Sequence, residues 1–184
     1  EEAIQSYNKA IEIQPEYAEA HNNLGNLLFE LSNVGAALGK CQTATILNPS
    51  YPAGYHNLGN ILASAGKDNG SINEFNKAVK IKPNFSEALN GLASALHSLG
   101  DFEQSEEHYR QAYRVDPSYT DTYLNLNTFL RETGRVAEAE KNISKIFEHI
   151  RRPVPTSSEI SVTALMPFGR SGSIFLEWLF DVHP

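Results

Sequence analysis

Between His21 and Leu31 the apolar residues Leu24, Leu27, Leu28 and Leu31 recur at three- and four-residue intervals. That spacing lays one apolar stripe along an α-helix. Ser32 follows, and Gly66, Gly100 and Gly134 occupy the same place in later stretches, where a helix stop with positive φ is expected. A second helix comes after each stop (Glu103–Val115 in the third stretch), and a proline closes it, where a helix cannot continue. Those prolines, Pro15, Pro49, Pro83 and Pro117, lie 34 residues apart. The same period carries Tyr17, Tyr51, Phe85 and Tyr119, the leucines Leu24, Leu58, Leu92 and Leu126, and the alanines Ala10, Ala44, Ala78 and Ala112. It also carries a small column, Ala3, Ala37, Ser71, Ser105 and Ala139, and a second in which Gly25 and Gly59 share a place with Ala93 and Asn127. A single helix pair cannot bury its apolar face alone, so the pairs stack into a continuous core with a concave inner face.

Composition narrows the chemistry. With 184 residues, 41% hydrophobic, the chain has apolar material enough for a packed core. A net charge of −7 argues against a protein that holds nucleic acid by neutralising phosphates. Cys41 is the sole cysteine, which excludes an internal disulfide and a multi-cysteine metal site, and its place in a column with Tyr7, Phe75 and Tyr109 makes it a buried packing residue. The histidines show no i, i+4 ligand pairing. Glu103, Glu106 and Glu107 read as a solvated acidic face. In the C-terminal part the longest uncharged run, 160–169, is about half the ~20 residues of a membrane helix. No signal peptide is visible, but a chain that does not begin at Met leaves the compartment unknown, with the cytoplasm as the default. Glu1 in place of an initiator Met and the abrupt end at Pro184 make both termini look cut.

The period and its columns resemble the tetratricopeptide repeat family, most closely at Leu24-Gly25, Ala37, Ala44 and Pro49. The resemblance implies an all-α fold, a right-handed α-solenoid of helix hairpins over residues 1–150, built from a partial repeat and about four repeats. In that family the inner face of the first helices holds a protein or peptide partner. Carried over by column, this groove is lined by Asn22, Asn23 and Asn26, then His56, Asn57 and Asn60, then Asn90 and Ser94, then Asn125. Primary amides both donate and accept, so stacked amides suit an extended backbone. They are equally suited to tying adjacent helices together or facing solvent. A similar asparagine ladder occurs in O-linked N-acetylglucosamine transferases. Family members that grip acidic chaperone tails use a basic carboxylate clamp, but here Asn22, His56, Asn90 and Leu124 stand at the basic positions. An acidic tail is therefore not the expected partner.

After Phe147 the composition changes. Residues 151–159 (RRPVPTSSE) form a linker, 160–166 read as a strand, 167–173 as a glycine-serine turn, and 174–180 as an apolar helix. The run GRSGSIFLEWLFDVHP resembles the start of sulfotransferases that use phosphoadenosine phosphosulfate (PAPS). By that resemblance, 160–184 is a short β-loop-α fragment of a truncated sulfotransferase-like domain. Gly169, Arg170, Ser171, Gly172 and Ser173 would hold the phosphosulfate. Gly169 stands where the family has proline, and Ile174 where it has a second threonine. No catalytic base or metal site is identifiable, and no cofactor is expected within this chain alone, PAPS being implied only for a longer parent. Two readings follow. The chain is a peptide-binding module forming the N-terminal arm of a PAPS-dependent sulfotransferase, or it is a scaffold without catalysis whose tail caps the solenoid. An arm of a glycosyltransferase is a weaker third.

Overall fold

The computed structural model describes residues 2–142. Eight helices follow in order: α1 (Glu2–Ile13), α2 (Ala18–Glu30), α3 (Val34–Leu47), α4 (Pro52–Ser64), α5 (Asp68–Ile81), α6 (Ser86–Ser98), α7 (Phe102–Val115) and α8 (Thr120–Glu132). A ninth, α9, begins at 136 and runs to the last described residue. The segments read as linker, strand, glycine-serine turn and apolar helix lie outside the described residues, and nothing described supports a β-loop-α fragment.

The stops fall where the sequence puts them. Ser32, Gly66, Gly100 and Gly134 all have positive φ, between 63° and 81°. Each lets the following N–H reach back, as Asn33 N donates to Leu28 O at 2.8 Å and Asp101 N to Leu96 O at 3.0 Å. These bonds satisfy carbonyls that a helix end would otherwise orphan. The next helix starts two residues after each stop, with Asn33 and Asp101 accepting from the backbone of Ala36 and Gln104. The aromatic column supplies the N-cap of each first helix (Tyr17, Tyr51, Phe85, Tyr119), so α2 starts earlier than its leucine stripe suggests.

Packing between hairpins is asymmetric. The first helices contact one another in succession, α2 with α4, α4 with α6 and α6 with α8, whereas α3, α5 and α7 make no contact with each other. Helices touching on one side and splayed on the other curve the stack, and the first helices line its inner face. The hairpins are closed by complementary sizes. Gly25 lies against Cys41, Gly59 against Phe75, and Ala93 clusters with Tyr109. A Cβ on Gly59 would stand 2.8 Å from Phe75 Cδ1, so only glycine fits. The small residues Ala37, Ser71, Ser105 and Ala139 are fully buried, and Ser105 Oγ donates to Ala93 O at 2.8 Å across the hairpin. Cys41 is fully buried too, and burial pushes its thiol up to about 11, which keeps it protonated and inert.

One reading needs correcting. Glu106 is not simply solvated, because Arg110 lies 2.8 Å and Arg135 2.6 Å from its oxygens. Glu138 pairs with the same two arginines, so four charges tie α7 to the hairpin that follows. Burial acts to raise the Glu106 pKa, but hydrogen bonds from Arg135 and Arg110 outweigh it and hold the carboxyl below its ordinary 4.5. Glu138 is held down chiefly by its bond from Arg110. A depressed folded pKa stabilises above the unfolded value and loses that contribution as pH falls through the folded one. Acid unfolding of the α7–α9 region should therefore begin below about pH 4.5. Glu138→Gln should flatten that acid limb while costing a fraction of a kcal/mol at neutral pH, since the pair is partly exposed. Urea midpoints from pH 7 to pH 3, followed by tyrosine fluorescence, check this.

Candidate functional site

The residues expected in the groove do lie on α2, α4, α6 and α8, the helices of the inner face. Their side chains divide into two sets. Asn22 is 3% exposed and Asn90 8% exposed, so both are buried between adjacent first helices. Asn57 Nδ2 donates to Asn22 Oδ1 at 3.0 Å, and Asn125 Nδ2 donates to Asn90 Oδ1 at 3.1 Å. Asn22 Nδ2 in turn approaches Tyr51 Oη and Asn23 Oδ1, each at 3.4 Å. These amides tie neighbouring repeats, and a buried amide without such partners would be costly. Asn22 is therefore an anchor within the fold with both ends of its amide engaged, and Asn90 commits its carbonyl oxygen in the same way.

The remaining positions are less buried. Asn23 and Ser94 are exposed, and Asn26, His56, Asn57, Asn60 and Asn125 are half-buried. Asn26 Nδ2 donates to Glu30 at 2.9 Å, and Asn60 Nδ2 meets His56 Nε2 at 3.2 Å. Asn26, Asn60 and Asn125 thus each commit an N–H and keep a carbonyl oxygen with no partner among the described residues. A shallow cavity of about 300 Å³ at the N-terminal end of this face is lined by Asn23, Asn26, Asn57, Leu27 and Glu30, together with Ala3 and Tyr7 of α1.

Between the two tied pairs the ladder skips a rung. The position that would bond back to His56 is Gly91, and a Cβ there would stand 2.6 Å from Phe75 Cζ. The ring of Phe75 occupies the space. His56 packs instead against Phe75 and Phe85, with ring centroids 6.0 and 5.2 Å apart. Burial lowers its pKa below 6.5, so the imidazole is neutral at pH 7. No cation therefore stands in the column of Asn22, His56, Asn90 and Leu124. At the other end His97 Nε2 lies 3.0 Å from Glu132.

Sequence reasoning missed which amides are consumed. The signal lay in a one-residue offset: the bonded pairs are 35 residues apart, one more than the period. The phosphosulfate cradle expected at 169–173 lies outside the described residues. Among the described residues no helix is long and apolar enough to cross a membrane.

The sequence model described as "TPR repeat" matches residues 1–32 and 59–100, and that described as "Tetratricopeptide repeat" matches residues 86–119. No curated protein matches the sequence. Among solved structures, a crystal structure of MamA superposes with a TM-score of 0.67 at 19% identity, covering 79% of this chain and 85% of that one. MamA from residue 41 to its end, from Desulfovibrio magneticus RS-1, gives 0.69 at 17% identity, covering 82% and 85%. At these identities the likeness is one of fold. None of these comparisons supports a sulfotransferase-like C-terminal end. The helix pairs, the 34-residue columns and the matched sequence models together identify the chain as carrying tetratricopeptide repeats.

Proposed function

We propose that the chain is an interaction module whose inner face binds an extended, neutral or basic segment of a partner protein, without catalysis of its own. The observation that carries this reading is the set of unspent carbonyl acceptors at Asn26, Asn60 and Asn125 on three of the four first helices, α2, α4 and α8. Acceptors so placed suit peptide N–H donors. The acidic rim at Glu30 and Glu132 and the neutral His56 disfavour an acidic segment. The scaffold reading is preferred to the sulfotransferase and glycosyltransferase arms, for which no described residue speaks.

The test is selection of peptides from a random library on the immobilised 184-residue chain. Selected peptides should be extended and not acidic, and Asn60→Ala with Asn125→Ala should weaken them at least tenfold, about the worth of one or two hydrogen bonds. Sub-micromolar binding of an acidic C-terminal peptide, or selected peptides indifferent to the double change, would contradict the reading.

A further inference from the structure

Two asparagine–glycine dipeptides occur in the chain, Asn69-Gly70 and Asn90-Gly91. A glycine after asparagine leaves its backbone nitrogen open to the asparagine carboxamide, because no Cβ shields it. The fold treats the two dipeptides differently. Asn90 is 8% exposed, its Oδ1 accepts from Asn125, and Gly91 sits inside α6, where its N–H belongs to the helix ladder. Gly91 is also pressed against the ring of Phe75. Asn69 is exposed in the first turn of α5, and its carboxamide has no partner among the described residues.

The neighbouring backbone nitrogen is free as well. Gly70 is the third residue of α5, a position whose N–H has no intrahelical acceptor. In α3 and α7 the equivalent N–H groups, those of Ala36 and Gln104, are taken by the side chains of Asn33 and Asp101. In α5 the same column holds Lys67, a side chain with no acceptor, and no side chain caps the helix. A first turn without a cap opens more readily, and an open turn lets Asn69 leave its helical ψ and fold its carboxamide onto Gly70 N. We propose that Asn69 is a site of spontaneous deamidation, with water as the only co-reactant. Gly70 N gives up its proton and attacks Asn69 Cγ. The Cγ–Nδ2 bond breaks and ammonia leaves, closing a cyclic imide. Water then opens the imide at either carbonyl, to aspartate or to isoaspartate, with no change of oxidation state. Either product places a negative charge at the start of α5. Isoaspartate also adds a methylene to the backbone just ahead of Ser71, which is fully buried and donates to Asp68 O at 2.8 Å. The change is irreversible and loosens the α4–α5 hairpin at its turn. It lies on a second helix and does not rest on the peptide-binding reading.

The test is incubation of the 184-residue chain at mildly alkaline pH, followed by peptide mapping that separates asparagine, aspartate and isoaspartate at 69 and 90. In the folded chain Asn69 should convert at least tenfold faster than Asn90, and in urea the two rates should come within a few-fold of each other. Lys67→Ser supplies a cap where the backbone is already set for one, its ψ of 58° lying close to 67° at Asn33 and 74° at Asp101. It should slow conversion severalfold, whereas Lys67→Ala, which removes the same charge without an acceptor, should not. Gly70→Ala brings a Cβ no closer than 3.5 Å to Leu62, so the fold tolerates it, and it should slow conversion at least tenfold. Equal conversion at 69 and 90 in the folded chain, the same preference for Asn69 in urea, or indifference to Lys67→Ser overturns the proposal.

Discussion

Replacing Phe75 by alanine is expected to destabilise the array by about 3–5 kcal/mol, in line with deletion of a buried aromatic ring. The ring is 1% exposed and fills the gap between two glycines, Gly59 in its own hairpin and Gly91 in the next. It clusters with Leu92, Ala95 and Leu96 of α6 and packs against the ring of His56. Neither glycine has a side chain that can lean into the vacated space, so the cavity will collapse poorly. In a stack where each repeat contacts only its neighbours, losing the ring weakens two interfaces at once. Hydrogen exchange should show α4–α6 opening before α7 and α8, alongside a lower urea midpoint. A loss below 1 kcal/mol would mean that the ring is not the wedge between the two hairpins.

The second large effect concerns the missing rung. Gly91→Asn would give the ladder the amide that its column carries at Asn57 and Asn125. It should nevertheless destabilise by about 1–3 kcal/mol, because the new Cβ is driven into Phe75. Combined with Phe75→Cys, which reproduces the arrangement at Cys41 and Asn57, the same substitution should become much less harmful. A double-mutant cycle should return a coupling of about 0.5–3 kcal/mol favouring the pair. Simple additivity would show that Phe75 is not what excludes a side chain at 91.

Most of the architecture was legible in the chain. Period, helix pairs and stops follow from one leucine stripe and four evenly spaced prolines, since both features act locally. The burial of Cys41 was legible from its column. The start of α2 was not, because Ala18, Glu19 and Ala20 carry no apolar stripe although they continue the helix from Tyr17. Nor was the charge cluster, whose members Arg110 and Glu138 are 28 residues apart and meet only when α7 packs on the following hairpin. The candidate groove was legible as a set of columns but not as a set of available atoms. Which amide faces a neighbour depends on how adjacent first helices cross, and that geometry consumes the carbonyl oxygens of Asn22 and Asn90 while sparing that of Asn60. His56, at a position expected to be basic in a carboxylate clamp, is neutral here for a similar reason, as Phe75 and Phe85 desolvate it.

On the proposed function the inner face, lined by the first helices, is the partner surface. The most direct test is an amide shift map of the labelled chain on titration with a library-selected peptide. Saturable changes are expected at Asn60, Ser94 and Asn125, with none at Lys40 or Glu103 on the second helices. Changes centred on α3, α5 and α7, with Asn60 and Asn125 unmoved, would place the partner on the outer surface and contradict it.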